Sequence, residues 1–196
     1  MDFNRNVDKL EDYLGGVSYN QILDVNNTAT VATELFTVSA FKSQYAKIDN
    51  SDEDTLIESL IIAARRMCEN HVGINFIART VIASINNLNG GTYLPFGPVG
   101  AIASVSDIDG NVLQSGNYKI TGSQFKQVQW PTEDYLVITY TGGYATCPAD
   151  LITAVKAQTL YLYENRGDVQ VIMNQQTGRV AISPIAQLIL NPLIRN

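Results

Sequence analysis

Two long helical segments bracket a strand-rich block, and this alternation constrains the fold more than any other feature of the chain. Ser51-Asp52-Glu53-Asp54 opens the first segment with a cap and acids at the positive helix end, and Gly73 offers a left-handed stop. Between them Ile57, Leu60, Ile61, Ala64, Met67, Cys68 and His71 recur at three- and four-residue steps, which predicts a single apolar stripe. Burying its five larger side chains is worth about 1.5 to 3 kcal/mol each before entropy, so this helix requires a partner surface. The second segment runs from about Pro148 to Asn165, with Leu151, Ile152, Val155, Leu160, Tyr161 and Leu162 giving a broad apolar face. Pro148 and Asp150 mark its start, and Arg166 followed by Gly167 marks its end. The two helices are expected to pack together, with the intervening sheet projecting from their ends.

The block between them changes period. Thr80 to Ile85, Thr92 to Leu94, Ile102 to Ile108, Tyr118 to Thr121, Lys126 to Trp130 and Tyr135 to Tyr140 are short apolar or alternating runs. Gly90-Gly91, Gly97-Pro98, Asp109-Gly110-Asn111 and Pro131-Thr132 separate them with turn chemistry. The expected fold class is therefore α+β: a bundle of a few helices with a small antiparallel sheet inserted at about residues 79–140. Thr141-Gly142-Gly143-Tyr144 and then Pro148 form the joint that hands the chain from the last strand to the second long helix.

The remaining segments read as additions to a core domain at 33–166. Residues 1–32 are expected to be an extension that adds little to the core. Val7, Leu10, Tyr13 and Leu14 suit one short amphipathic turn ended by Gly15-Gly16, and Asn26-Asn27-Thr28-Ala29-Thr30 resembles a linker. A short helix capped by Thr37 is predicted next, with Val38, Phe41 and Tyr45 on one side, ending before Asp49-Asn50. Residues 167–196 form a tail in which Val169 to Ile172 alternates like an edge strand and Pro184 to Leu190 reads as a helical turn. Ile185, Leu188, Ile189, Leu190, Leu193 and Ile194, with the neighbouring Arg195, lack an evident local core and are the expected docking residues.

Composition narrows the function classes. With 13 Lys and Arg against 19 Asp and Glu, the formal charge is -6, which argues against a basic nucleic-acid grip. The N-terminus is polar and lacks the apolar run of a signal peptide, and no window approaches the roughly 20 apolar residues of a membrane span, so a soluble, cytoplasmically made protein is expected. Cys68 and Cys147 belong to no metal-ligand spacing and are expected to be buried free thiols, with a disulfide between them left open. His71 is the only histidine, and its spacing suits a packed, satisfied side chain rather than a catalytic one. Asp107-Ile108-Asp109-Gly110-Asn111 misplaces the glycine of a calcium loop and is read as a β-turn. Neither glycine pair matches a phosphate loop, and Arg65-Arg66 is read as solvated or subunit-facing. No enzyme, metal or cofactor is expected. Trp130 with Tyr93, Tyr135 and Tyr144 allows a stacking surface for a carbohydrate or protein ligand, although ordinary sheet packing explains these aromatics better.

A resemblance joins these pieces. Asp54-Thr55-Leu56-Ile57 with Ala63-Ala64-Arg65, Leu94-Pro95-Phe96-Gly97-Pro98-Val99, Ser104-Val105, Asp109-Gly110, Tyr118, Trp130-Pro131, Tyr140-x-Gly142-Gly143-Tyr144, Pro148 and Tyr163-Glu164-Asn165-Arg166 occur in this order. Over about residues 34–166 the chain resembles the phage head-tail connector (adaptor) family. The resemblance implies a structural virion protein, assembled in the host cytoplasm, that forms a ring, usually dodecameric, beneath the portal and continues the DNA channel toward the tail. Its implied partners are other copies of itself, the portal, a tail-terminator or other neck protein, and double-stranded DNA that passes without tight binding. A head-completion or tail-terminator ring is the alternative within the same neck. In that setting Glu133 and Asp134 are expected to line the channel and repel phosphate, and the tail from about Ser183 is expected to dock on the portal or an adjacent subunit.

Overall fold

The computed structural model describes residues 22–27, 31–86, 92–130, 135–165 and 182–194. The architecture is α+β, and the chain divides into two compact units. Among the described residues, one comprises 22–27, 31–32, 73–86, 92–130 and 135–146; the other comprises 33–72, 147–165 and 182–194.

The first unit is built on a four-stranded antiparallel sheet. In chain order its strands are β1 (Ile22–Asn26), β2 (Arg79–Asn86), β4 (Val99–Asp107) and β7 (Tyr135–Gly142), arranged spatially as β1-β2-β7-β4. A second sheet combines β3 (Thr92–Tyr93), β5 (Lys119–Thr121) and β6 (Gln127–Gln129) in the order β3-β6-β5. These strands follow the period-2 runs of the sequence closely. Alternation sends Val81, Ala83 and Ile85 of β2 and Leu136, Ile138 and Tyr140 of β7 into one core, which Leu94, Val99, Val105, Val128 and Trp130 complete. Trp130 is thus a core side chain, and the stacking-surface alternative loses its central aromatic. The Tyr140 hydroxyl donates to the Pro95 carbonyl at 2.6 Å, satisfying the one polar atom that this ring carries into the core.

Residues 22–26 depart from the expectation of an extension that adds little to the core. They form an antiparallel edge strand on β2, and Ile22, 1% exposed, belongs to the core. Asn27 continues this attachment: its amide exchanges two 2.9 Å hydrogen bonds with that of Asn75, and Arg79 donates to both side chains. A local reading of residues 26–30 sees only loop chemistry, because the strand's partner lies far along the chain.

The predicted turn after β4 is confirmed. Gly110 takes φ +87°, and Asp107 accepts from the Asn111 backbone and side chain at 2.8 and 2.9 Å. These bonds, the side-chain one foremost, hold the Asp107 carboxyl below its ordinary range. At the joint, both glycines are required. A Cβ on Gly142 would lie 2.6 Å from the Phe96 carbonyl oxygen, and Gly143 takes φ +115° with the Ile77 carbonyl oxygen 2.6 Å from where a Cβ would stand.

The second unit is helical. Thr37 caps α1 (Val38–Ala40) by accepting from the Ala40 amide at 3.1 Å, as predicted, and the helix loosens into a π-helical turn at Phe41–Ala46. The long helix α2 (Asp54–Val72) ends at Gly73, which takes φ +66°. Pro148 occupies the N-cap position of α3 (Ala149–Glu164), and α4 (Pro184–Leu190) runs into a 3-10 turn at Asn191–Leu193. Helices α2 and α3 pack on each other, and α4 packs on both. Phe41, Ile57 and Ile61 form a buried cluster bordered by Phe36, Tyr45, Leu160 and Tyr163. The turn expected at residues 7–14 and the strand expected at Val169–Ile172 lie outside the described residues.

Candidate docking surface

The site begins with the seven residues of α4. Ser183 precedes Pro184, and its hydroxyl accepts from the Ala186 amide at 3.3 Å, while Pro184 needs no donor partner at the first helical position. Gln158, fully buried in α3, accepts the Ser183 amide at 2.7 Å and so fixes where the helix starts. Ala186 and Leu190 then turn inward as the buried side of α4. At its far end, the Asn191 side chain hydrogen-bonds the His71 ring at 3.1 Å. His71 is therefore satisfied, as its spacing predicts, but from a half-buried position at the end of α2.

This anchoring sorts the expected docking residues. Ile185 (56% exposed) and Leu188 (78%) point to solvent three residues apart on one helical face. Ile189, Leu193 and Ile194 are half-buried, and Leu190 is consumed by the packing of its own chain. Arg195 lies outside the described residues, as do Glu133 and Asp134. The tail thus supplies a small apolar spot on a helix held from behind. Removing everything beyond Arg166 would uncover part of α3 and take away the Ser183 partner of Gln158.

Sequence reasoning missed the polar pins of this unit. Arg65, expected to face solvent or a neighbouring subunit, is only 3% exposed. Its guanidinium donates to Glu34 at 2.7 and 2.9 Å and to Glu69 at 2.7 Å. Burial works against its charge, but the hydrogen bonds and charges of Glu34 and Glu69 outweigh this and hold its pKa above the ordinary arginine value. The Glu69-Arg65 pair at i,i+4 carries a local signal, whereas the second carboxylate comes from a loop 31 residues earlier. Lys42 pairs with Asp54 at 2.5 Å, and the Tyr163 hydroxyl donates to Glu53.

The thiols complete the inventory. Cys68 and Cys147 are both free. Burial, reinforced by the charge of Glu69, pushes Cys68 up to about 12; burial with Asp150 and Glu69 pushes Cys147 up to about 12. Both therefore stay protonated at neutral pH, which weakens them as nucleophiles. Among the described residues, no group of three or more His, Cys, Asp and Glu side chains is placed to hold a metal, and no helix is long and apolar enough to cross a membrane.

The comparisons with known proteins bear on this arrangement. No curated protein matches the chain. Solved structures share its fold. A chain in the neck of an empty GTA particle, computed with C6 symmetry, superposes with a TM-score of 0.68 at 16% identity, covering 88% of this chain and 96% of that one. A chain in the virion of the native gene transfer agent particle gives 0.66 at 19% identity, covering 88% and 95%. One in the neck of the native GTA particle, computed with C12 symmetry, gives 0.63 at 16%, covering 88% and 96%. The family model described as "Head completion protein" matches residues 34–177, which include the joint, strands β2 to β7 and both long helices. The chain belongs to the head completion protein family, among the phage head-to-tail connector proteins that its ordered motifs resemble.

Proposed function

We propose that this structural neck protein, which joins head to tail, works as one subunit of a closed ring beneath the portal, with twelve copies as the expected number. The observation that carries the reading is the shared fold with chains of GTA necks computed with C6 and C12 symmetry, together with the family match. The ring continues the DNA channel, and the net charge of -6 suits a conduit that does not hold phosphate. Glu133 and Asp134 are the proposed channel-lining carboxylates.

Within this reading α4 is the docking element for the portal or an adjacent subunit. Ile185 and Leu188 are presented on a helix that Gln158 and the buried Leu190 already position, so little ordering entropy remains to be lost on contact. The test adds full-length chain carrying Ile185→Asp and Leu188→Asp to portal-bearing heads that lack this protein. Both side chains face solvent, so folding is expected to be unchanged by circular dichroism. Incorporation into particles is expected to fall at least tenfold, and wild-type incorporation would remove α4 from the docking role. Mass measurement of the isolated chain and of the particle-bound assembly tests the ring itself.

A further inference from the structure

The solvent side of the four-stranded sheet is an unusual surface for an acidic protein. Its central row pairs Ile82 of β2 with Thr139 of β7, and the next pairs Ser84 with Val137. Ser106 of β4 lies beside Val137 on the other flank. Ile82 is 39% exposed and sits diagonally against Val137, so two branched apolar side chains occupy the middle of the face. The other outward positions paired in register are Ser, Thr, Asn and Tyr135, with Asp24 on β1 the one charged side chain among them, and the exposed Leu23, Ala101 and Ala103 stand at the register shifts. Solvated sheet faces ordinarily carry Lys, Glu and Arg, and depletion of Lys and Glu around an apolar centre is one mark of a surface that becomes covered. Short hydroxyl side chains also lose little rotamer entropy when covered.

We infer that this face is where a second copy of the chain packs in the ring, an inference that rests on the ring reading above. The ring reading supplies that occupant, and three observations exclude others. No Lys or Arg stands on the described face, so it has nothing with which to hold nucleic-acid phosphates. The edges are poor templates for strand addition, because register shifts interrupt β1 between Ile22 and Asp24 and β4 on both sides of Ile102. The face is also small. Four strands about 4.8 Å apart and about 20 Å long present roughly 400 Å², half of the roughly 800 Å² that each partner of a free-standing complex contributes. A contact of that size is weak for an isolated dimer and adequate in a closed ring, where every subunit is held from two sides. Because ring contacts are heterologous, the neighbour meets this face with a different surface of its own.

Full-length Val137→Arg tests the inference, by native mass spectrometry and particle imaging with portal-bearing heads. The expected result is a monomer with the wild-type melting temperature and at least a tenfold loss of ring. A second readout keeps the test independent of that variant: with Cys147→Ser as background, Ser84→Cys should be alkylated readily in the free chain and at least tenfold more slowly in the ring. Wild-type ring yield for Val137→Arg, or equal labelling in both states, overturns the sheet-face contact while leaving the ring intact. A wild-type chain that forms no ring even on heads overturns the ring reading itself, and this contact with it.

Discussion

In the sheet unit, the buried face of β2 and β7 is built from Val81, Ala83, Ile85, Leu136 and Ile138, and polar contacts such as Asn27-Asn75-Arg79 gather at one end of β2. In the helical unit, α2 buries Arg65 and Glu69 among its apolar residues, and α3 buries Gln158 and Thr159. The contrast follows from how each kind of element achieves a unique packing. A one-residue slip in a sheet inverts every side chain, so apolar alternation together with the turns specifies the register. Helices slide and rotate past one another at lower cost, and directional pins between them and their flanking loops single out one arrangement. The Glu34-Arg65-Glu69 cluster and the Gln158-Ser183 bond are such pins.

The sharpest way to break this contrast is Arg65→Met. It leaves the charge of Glu69 buried without its guanidinium, and the expected loss is about 3 to 5 kcal/mol in urea unfolding followed by far-UV circular dichroism. Adding Glu69→Met should restore much of that stability, since an apolar pair replaces the ions. A single variant as stable as wild type would show that the helical unit does not depend on its pins. On the sheet side, Gly143→Ala forces a side chain into a left-handed φ and against the Ile77 carbonyl. The expected cost is roughly 1 to 3 kcal/mol by the same measurement, and a neutral outcome would deny the joint its backbone requirement.

The smallest expected effect comes from ionisation of the thiols and vanishes at neutral pH. Both thiols have folded-state pKa values raised from 9.0 to about 12, so the folded state favours the protonated form. Their contribution is complete below the unfolded value and is lost as pH rises from about 9 through about 12. The melting temperature of wild type should therefore fall more steeply over that interval than that of Cys68→Ala/Cys147→Ala. Parallel curves would mean that burial of the thiols does not couple to stability.

Much of the fold was legible because its signals are local. The period-2 runs locate six of the seven strands, and the caps and apolar stripe locate α2, α3 and even the short α4. Strand β1 was not legible, since Ile22–Asn26 becomes a strand only by pairing with β2. Arg65 beside Arg66 looks like an exposed basic pair until Glu34 and Glu69 enclose one of the two. The docking tail shows the same division: its apolar residues are plain in the sequence, but α3 decides that Leu190 is core and that Ile185 and Leu188 remain outside.

By itself, then, the amino-acid order determined the α+β class, the glycine joint, the boundaries of every described element but β1 to within a few residues and a family resemblance carried by ordered motifs. Each rests on backbone preference or on side-chain period within one segment. Only the tertiary structure decided which polar groups are buried, which apolar ones are left for partners, and that the outer sheet face is nearly uncharged. Those properties depend on which distant segments meet, and no single stretch of chain contains that information.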